Sequence, residues 1–301
     1  MELRMLEYFL AVAREQNITA AAESLRISQP ALSTQLKAME MELGKQLLIR
    51  GVKGSRKVVL TEEGMILRKR AEEILSLMRR TEEEITGSDE TIVGDVYIGT
   101  GETQVIRLFA QAAKKLHKKY PDIHYHISSG NAEHVLEYLD KGLIDFGLLF
   151  SQVDSRKYEA IPVPVKDNWG VLMRKDSPLA GKENISPKDL WDKPLIISHQ
   201  KGDDAYLGKW LRREISKLNI VATYNLVFNA SLLVKEGLGY ALCFDKLINT
   251  LDSDLCFRSF SPPLEARGLI VWKKYQVFSK AAGVFLQTLR QHIESIEDTE
   301  A

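Results

Sequence analysis

Apolar positions in the first part of the chain recur with helical spacing. Leu3, Leu6, Phe9, Leu10 and Ala13 fall on one side of a helix that advances about 100° per residue. Residues 17–43, NITAAAESLRISQPALSTQLKAMEMEL, read as two more helices joined by a tight turn that Leu25 and Ile27 fill. Asn17 or Thr19 is placed to cap the first of this pair, and Ala20, Ala21 and Ala22 let it pack closely. Ser28 is placed to cap the second, and Pro30 sits in its first turn, where a missing N–H costs little. Leu32, Leu36, Met39 and Leu43 follow at steps of four, three and four, a stripe that must face a core. Gly44 supplies a left-handed stop. The opposite face carries Pro30, Ser33, Thr34 and Lys37, short, polar or basic side chains suited to a base edge or a phosphate.

The period then changes. Residues 45–60 predict two short strands with a turn around Gly51 and Gly54, anchored by Leu47, Leu48 and Ile49. From Thr61, a plausible cap, a long helix runs to about residue 86 with Glu62 and Glu63 in its first turn, where they favour the helix dipole. Gly64 weakens its start. Leu67, Ala71, Ile74, Met78, Thr81 and Ile85 alternate steps of four and three, the seam of a two-helix coiled coil. Gly87, Ser88, Asp89 and Glu90 predict a break. Beyond it, strands at 93–99, 123–128 and 144–150 alternate with helices at 103–119 and 132–141, a parallel βαβαβ unit. A second set has strands starting near 159–161 and around 171, 195–198, 223–227 and 240–244, with helices at 203–217 and 231–236. A strand at 267–272 and a helix at 277–296 read as a return to the first lobe.

Charge adds one thing to this picture. Lys plus Arg and Asp plus Glu are both 41 in 301 residues, so no global field attracts nucleic acid and a local patch is needed. Residues 45–60 supply it: Lys45, Arg50, Lys53, Arg56 and Lys57 occur there with no acidic residue, which makes the two strands a basic β-wing. Cys243 and Cys256 are the two cysteines, read as buried free thiols; no metal or cofactor is expected. No apolar run reaches the roughly 18 residues of a membrane span, so a cytoplasmic protein with no membrane partner is expected. A solute-binding or enzymatic α/β protein with an accessory helical domain is the rival reading. Gly99-Thr100-Gly101 follows a strand, but Gln104 stands where a dinucleotide loop needs a third glycine. His117, His124, His126 and His134 lack Cys or carboxylate partners at ligand spacing.

Taken in order, these segments resemble a LysR-type transcriptional regulator over the full length. The most specific residues are Thr19-Ala20-Ala21-Ala22 and Ile27-Ser28-Gln29-Pro30-Ala31-Leu32-Ser33; Leu60 to Gly64, Tyr120-Pro121, Gly142 to Asp145 and Gly237-Leu238-Gly239 add weaker signatures. The last signature runs on to Phe244 where the family usually has a proline. The expected fold is α/β: an N-terminal winged helix-turn-helix (1–60), a linker dimerisation helix (61–86), a hinge (87–91) and a two-lobed regulatory domain like periplasmic binding proteins. Lobe I comprises 92–161 and 266–301, and lobe II comprises 162–265. The resemblance implies a homodimer or homotetramer on double-stranded DNA bearing an interrupted palindrome, controlled by a small-molecule effector between the lobes. It assigns Ser28, Gln29, Pro30, Ser33, Thr34 and Lys37 to the major groove, and Arg50, Lys53 and Arg56 to the DNA backbone.

Open parallel sheets bind ligands at the carboxyl ends of their strands. In lobe I those ends bring Thr100, Gly101, Glu102, Thr103, Ser128, Ser129 and Phe150; in lobe II they bring Ser198, His199, Gln200 and Asn229. The hydroxyls suit a polar or anionic ligand, whereas Glu102 favours a group with a donor, such as an amine. In an apolar strand, Cys243 is expected to be a thiol of raised pKa and little reactivity.

Overall fold

A computed structural model of the chain describes residues 1–51, 57–86, 92–199 and 203–300, with side chains described except at 83, 84, 86, 203–205 and 297–300. Lys53, Arg56, Gln200 and the expected hinge at 87–91 lie outside the described residues. The chain divides into two compact units, Met1–Thr86 and Gly87–Ala301.

In the first unit, α1 (Leu3–Glu15), α2 (Ile18–Ser24) and α3 (Gln29–Leu43) enclose one core. Phe9, Val12, Ala21, Leu32, Leu36 and Met39 are buried there. Asn17 caps α2 by accepting from the N–H groups of Thr19 and Ala20. Ser28 caps α3 by accepting from Ala31, and Gly44 ends it with φ at 63°. Three apolar positions depart from the expected core. Leu3 and Leu43, in the outermost turns of their helices, are 43% and 42% exposed, and Ile49 is 50% exposed. Leu48 points inward, so the strand's two-residue period turns Ile49 out.

The wing pairs β1 (Leu48–Arg50) antiparallel with β2 (Val58–Leu60). It is tied to α3 by Glu40, whose Oε1 accepts from the N–H groups of Leu47 and Leu48 while Oε2 accepts from Arg50. Helix α4 (Glu62–Thr86) starts on the same base. The Thr61 hydroxyl accepts from Gly64 N–H at 3.0 Å and donates to the Gln46 carbonyl at 2.7 Å. A Cβ added at Gly64 would lie 2.2 Å from the Leu47 carbonyl oxygen. The glycine that weakens the helix by propensity is therefore required by packing.

The expected coiled-coil seam divides along α4. Ala71 is fully buried and Leu67 packs against the helix-turn-helix core, so the first part of the seam is used within the chain. Farther along, Ile74, Leu77 and Ile85 are 39%, 45% and 77% exposed.

In the second unit, β3 (Gly94–Thr100), β4 (Ile123–Ser129) and β5 (Phe146–Leu149) are parallel, with β3 in the middle. Helix α5 (Ile106–His117) covers one face with α9 (Lys280–Glu300). Helix α6 (Ala132–Asp140) covers the other. The chain then enters β6 (Tyr158–Arg174), one strand of 17 residues where separate strands near 159 and 171 were expected. Next come β7 (Leu195–Ser198), α7 (Asp203–Leu211), β8 (Ile220–Tyr224), α8 (Val227–Lys235), β9 (Tyr240–Phe244), β10 (Leu255–Ser259) and β11 (Glu265–Lys273). The helix expected to reach 217 stops at Leu211, where Arg212 takes φ at 54°. The strand expected at 223–227 ends at Tyr224, and Val227 already opens α8. Strand β10, unforeseen because it has little alternation, pairs with β6.

The sheet order is β4-β3-β5-β11-β6-β9-β7-β8. Residues 158–162 and 166–168 of β6 pair with β11, residues 169–172 with β9, and residues 170–174 with β10. Thus β6 crosses from one lobe's sheet to the other's, beside β11.

Candidate functional site

The exposed side of α3 begins at its cap. Ser28, Gln29, Pro30, Thr34 and Lys37 are exposed and Ser33 is half-buried. The Thr34 hydroxyl donates to the Pro30 carbonyl at 2.9 Å, which turns its methyl group and an oxygen lone pair outward. Arg50 sits beside this face at the start of the wing. Its guanidinium is 3.2 Å from Glu40, a pairing that holds the side chain in place and leaves most of its five donors unused. Glu40 was not foreseen as part of this surface; its partners lie seven to ten residues away on a strand that α3 periodicity does not locate.

In the second unit, both lobes are built around a switch point. Strand β3 lies between β4 and β5, and α5 and α6 leave on opposite faces. Strand β7 lies between β8 and β9, with α7 and α8 on opposite faces. Ligands bind outside strand ends at such points. A cleft of about 60 Å³ lies there, lined by Gly101, Glu102, Phe150 and Ser198 together with Trp169, Tyr224, Asn225, Val227, Phe244 and others. That volume is several times the ~10–15 Å³ needed for one water.

Of the expected strand-end residues that are described, Gly101, Glu102, Phe150 and Ser198 line this cleft. Thr100, Thr103, Ser128, Ser129, His199 and Asn229 stand back from it. The reasons are local. Thr100 is buried and its hydroxyl donates to the Gly101 carbonyl. Thr103 donates to Asp167, and its oxygen accepts from Val105 N–H. His199 is exposed, with its backbone N–H donating to the Tyr224 carbonyl. Asn229 lies exposed within α8, and Ser128 and Ser129 end the outermost strand, β4. Of the aromatic lining, Trp169 and Tyr224 were missed because they belong to strands whose apolar residues read as core, whereas Phe150 was expected and Phe244 stood out as a departure from the family's proline.

The turn after β3 joins the lobes. Glu102 Oε2 accepts from Val227 N–H at the start of α8, and Gln104 Nε2 donates to the Lys246 carbonyl at 2.7 Å. Asp167, in the crossing segment of β6, accepts from Thr103 and from Gln104 N–H. Burial pushes the Asp167 carboxyl above its ordinary value, those hydrogen bonds pull it down, and nearby Asp245 raises it further.

The cysteines are both buried. Burial, then Asp245, pushes the Cys243 thiol up to about 12, and burial also raises Cys256. Cys243 pairs with Gly170 and Cys256 with Met173, on opposite edges of β6. Two strand spacings and a three-residue offset separate their Cα atoms by roughly 14 Å, twice the reach of a disulfide. His126, expected to lack a carboxylate neighbour, pairs at 2.7 Å with Asp95 across the β3–β4 ladder.

Residues 3–65 match the model of the bacterial regulatory helix-turn-helix protein, lysR family, and residues 90–294 match the LysR substrate binding domain. The uncharacterized HTH-type transcriptional regulator YvbU of Bacillus subtilis is 24% identical over 293 residues, 97% of this chain and 98% of that protein. The hydrogen peroxide-inducible genes activator of Pectobacterium carotovorum is 30% identical over 200 residues, 65% of this chain and 64% of its own length. Full-length CbnR, solved with its target DNA, superposes with a TM-score of 0.77 at 20% identity, covering 97% of this chain and 100% of that one; this likeness shows the fold. Among the described residues, no helix is long and apolar enough to cross a membrane. With both models matched, the chain belongs to the LysR family, DNA-binding transcriptional regulators, not enzymes, whose substrate-binding domain takes a small-molecule effector.

Proposed function

We propose that this regulator reads its operator with Ser28, Gln29, Pro30, Ser33, Thr34 and Lys37 in the major groove. Arg50, with Lys53 and Arg56, holds the phosphate backbone. The observation that carries this reading is the exposed, mostly uncharged face at the start of α3 beside Arg50: short polar groups specify and cations position. Residues 1–60 form the DNA-binding domain, 61–86 the linker helix, and 92–161 with 266–301 and 162–265 the two lobes. Two copies join along the exposed edge of α4, and the effector binds in the interlobe cleft against Gly101, Glu102 and Phe150. The protein works in the cytoplasm on an interrupted palindrome, as a dimer or tetramer.

Gel-shift titrations of Thr34→Ala and Arg50→Ala test the division of roles. Thr34→Ala narrows the gap between cognate and random DNA. Arg50→Ala weakens both together and lowers the salt slope by about one. Equal losses on cognate and random DNA from both variants would contradict it.

Peroxide sensing, suggested by the name of the Pectobacterium relative, has the thiol chemistry against it. A thiol pushed up to about 12 supplies almost no thiolate at neutral pH, and the thiolate is the nucleophile that attacks peroxide. The separation across β6 also prevents an internal disulfide without rebuilding the sheet.

A further inference from the structure

Among the described residues lining the interlobe cleft, Glu102 is the only one with a formal charge, and Phe150, Trp169, Tyr224 and Phe244 contribute four aromatic rings. Phe244 meets Trp169 edge-on at 4.6 Å between centroids and lies 5.2 Å from Phe150, so these three rings form a continuous corner. Resting on the reading of this cleft as the effector site, we propose that the effector is a small organic cation, an alkylammonium compound, held between the Glu102 carboxylate and this aromatic corner.

Two helix starts that would favour an anion line the cleft: that of α6, at Gly130 and Ala132, where Asn131 already accepts from His134 N–H, and that of α8, where N–H groups and the helix dipole converge beside the aromatic rings. The α8 start is already filled, because Val227 N–H donates to Glu102 from the opposite lobe. An incoming carboxylate would have to displace Glu102 or lie against it in a partly desolvated space, where like charges repel strongly. A cation meets the reverse situation. A carboxylate has about four acceptor sites, so the contact with Val227 leaves capacity for a second partner, and aromatic faces attract ammonium groups through their quadrupoles. The cleft volume of about 60 Å³ corresponds to about five non-hydrogen atoms at the ~10–15 Å³ each that a water needs. That is the size of a trimethylammonium head, whose tail would run toward the mouth. Such a ligand touches Glu102, which bridges to lobe II, and Trp169 and Phe244, which belong to lobe II strands. It therefore binds the closed arrangement better than an open one, as an effector that shifts a population must.

The test is calorimetric titration of the full chain with choline chloride, with its uncharged isostere 3,3-dimethyl-1-butanol and with sodium benzoate at matched ionic strength. Choline should bind saturably and at least about tenfold more tightly than the isostere, as a cation in a carboxylate and aromatic site does. Glu102→Gln keeps an acceptor for Val227 N–H while removing the charge, and should collapse the preference for choline over its isostere. An undiminished preference in Glu102→Gln, benzoate binding in place of choline, or binding of neither overturns the proposal. Ala132→Trp, which fills the cleft wall, separates this failure from that of the cleft itself. Benzoate binding abolished by Ala132→Trp leaves the cleft as the effector site and removes only the cation; binding that survives Ala132→Trp removes both.

Discussion

Asp167 is 3% exposed, yet it sits in the segment that joins the lobes and accepts from Thr103 and Gln104. Its carboxyl is raised from 3.8, mainly by burial. An acid with a folded pKa above its unfolded one holds its proton more tightly when folded. Its stabilising effect is therefore complete at low pH and is lost as pH rises from 3.8 through the raised value. Asp167→Asn keeps an acceptor for Thr103 and cannot titrate, so urea unfolding at a series of pH values should show a flatter profile above 3.8 than the parent chain. Parallel profiles would mean that Asp167 ionises without a folding cost. At this scale the sequence reveals what is local. Asn17, Ser28 and Gly44 act on neighbours within a turn, as Thr61 does in capping Gly64, and each cap could be read from the chain; the bond from Thr61 to Gln46 could not. Glu40 and Asp167 act on partners up to 64 residues away, and nothing in their neighbourhood announces it. The hydroxyls of Thr100 and Thr103 stand back from the cleft because each bonds to an acceptor of its own protein.

Among the elements, α4 shows how a periodic pattern can be correct as a helix and incomplete as an interface. The seam from Leu67 to Ile85 is helical throughout, but Ala71 and Leu67 serve the chain's own core. Ile74, Leu77 and Ile85 remain exposed along it, and this is the edge proposed above to join a second copy. Leu77→Glu places a charge on that edge without touching the helix-turn-helix core. Sedimentation should then show monomer where the parent gives dimer, and affinity for a two-half-site operator should fall at least about tenfold, since the linked second site is lost. A variant that stays dimeric would move the interface elsewhere. Strand β6 gives the complementary lesson. Its pattern changes in the middle because its neighbours change from β11 to β9 and β10, so one long strand reads as two.

For the whole molecule, element order was legible because the switch from helical to two-residue periodicity falls between the two compact units. The cleft was legible only in outline: strand ends point to it, but its aromatic wall depends on which strand interiors meet across the lobes. At Gly64 the start of α4 lies too close to the Leu47 carbonyl to admit a Cβ. This close approach fixes the root of the 25-residue helix α4, which extends about 37 Å at 1.5 Å per residue. A tilt of about 10° at its root would swing the far end by roughly 6 Å, close to two base-pair steps of 3.4 Å. In the dimer proposed above, the distance between recognition helices would follow from the angle at these two roots, so operator spacing would become a mechanical tolerance set by one missing methyl group. Gly64→Ala should retain helical circular dichroism yet flatten the preference among palindromes whose spacers differ by one or two base pairs, measured by gel shift. An unchanged spacing preference would place that ruler elsewhere in the dimer.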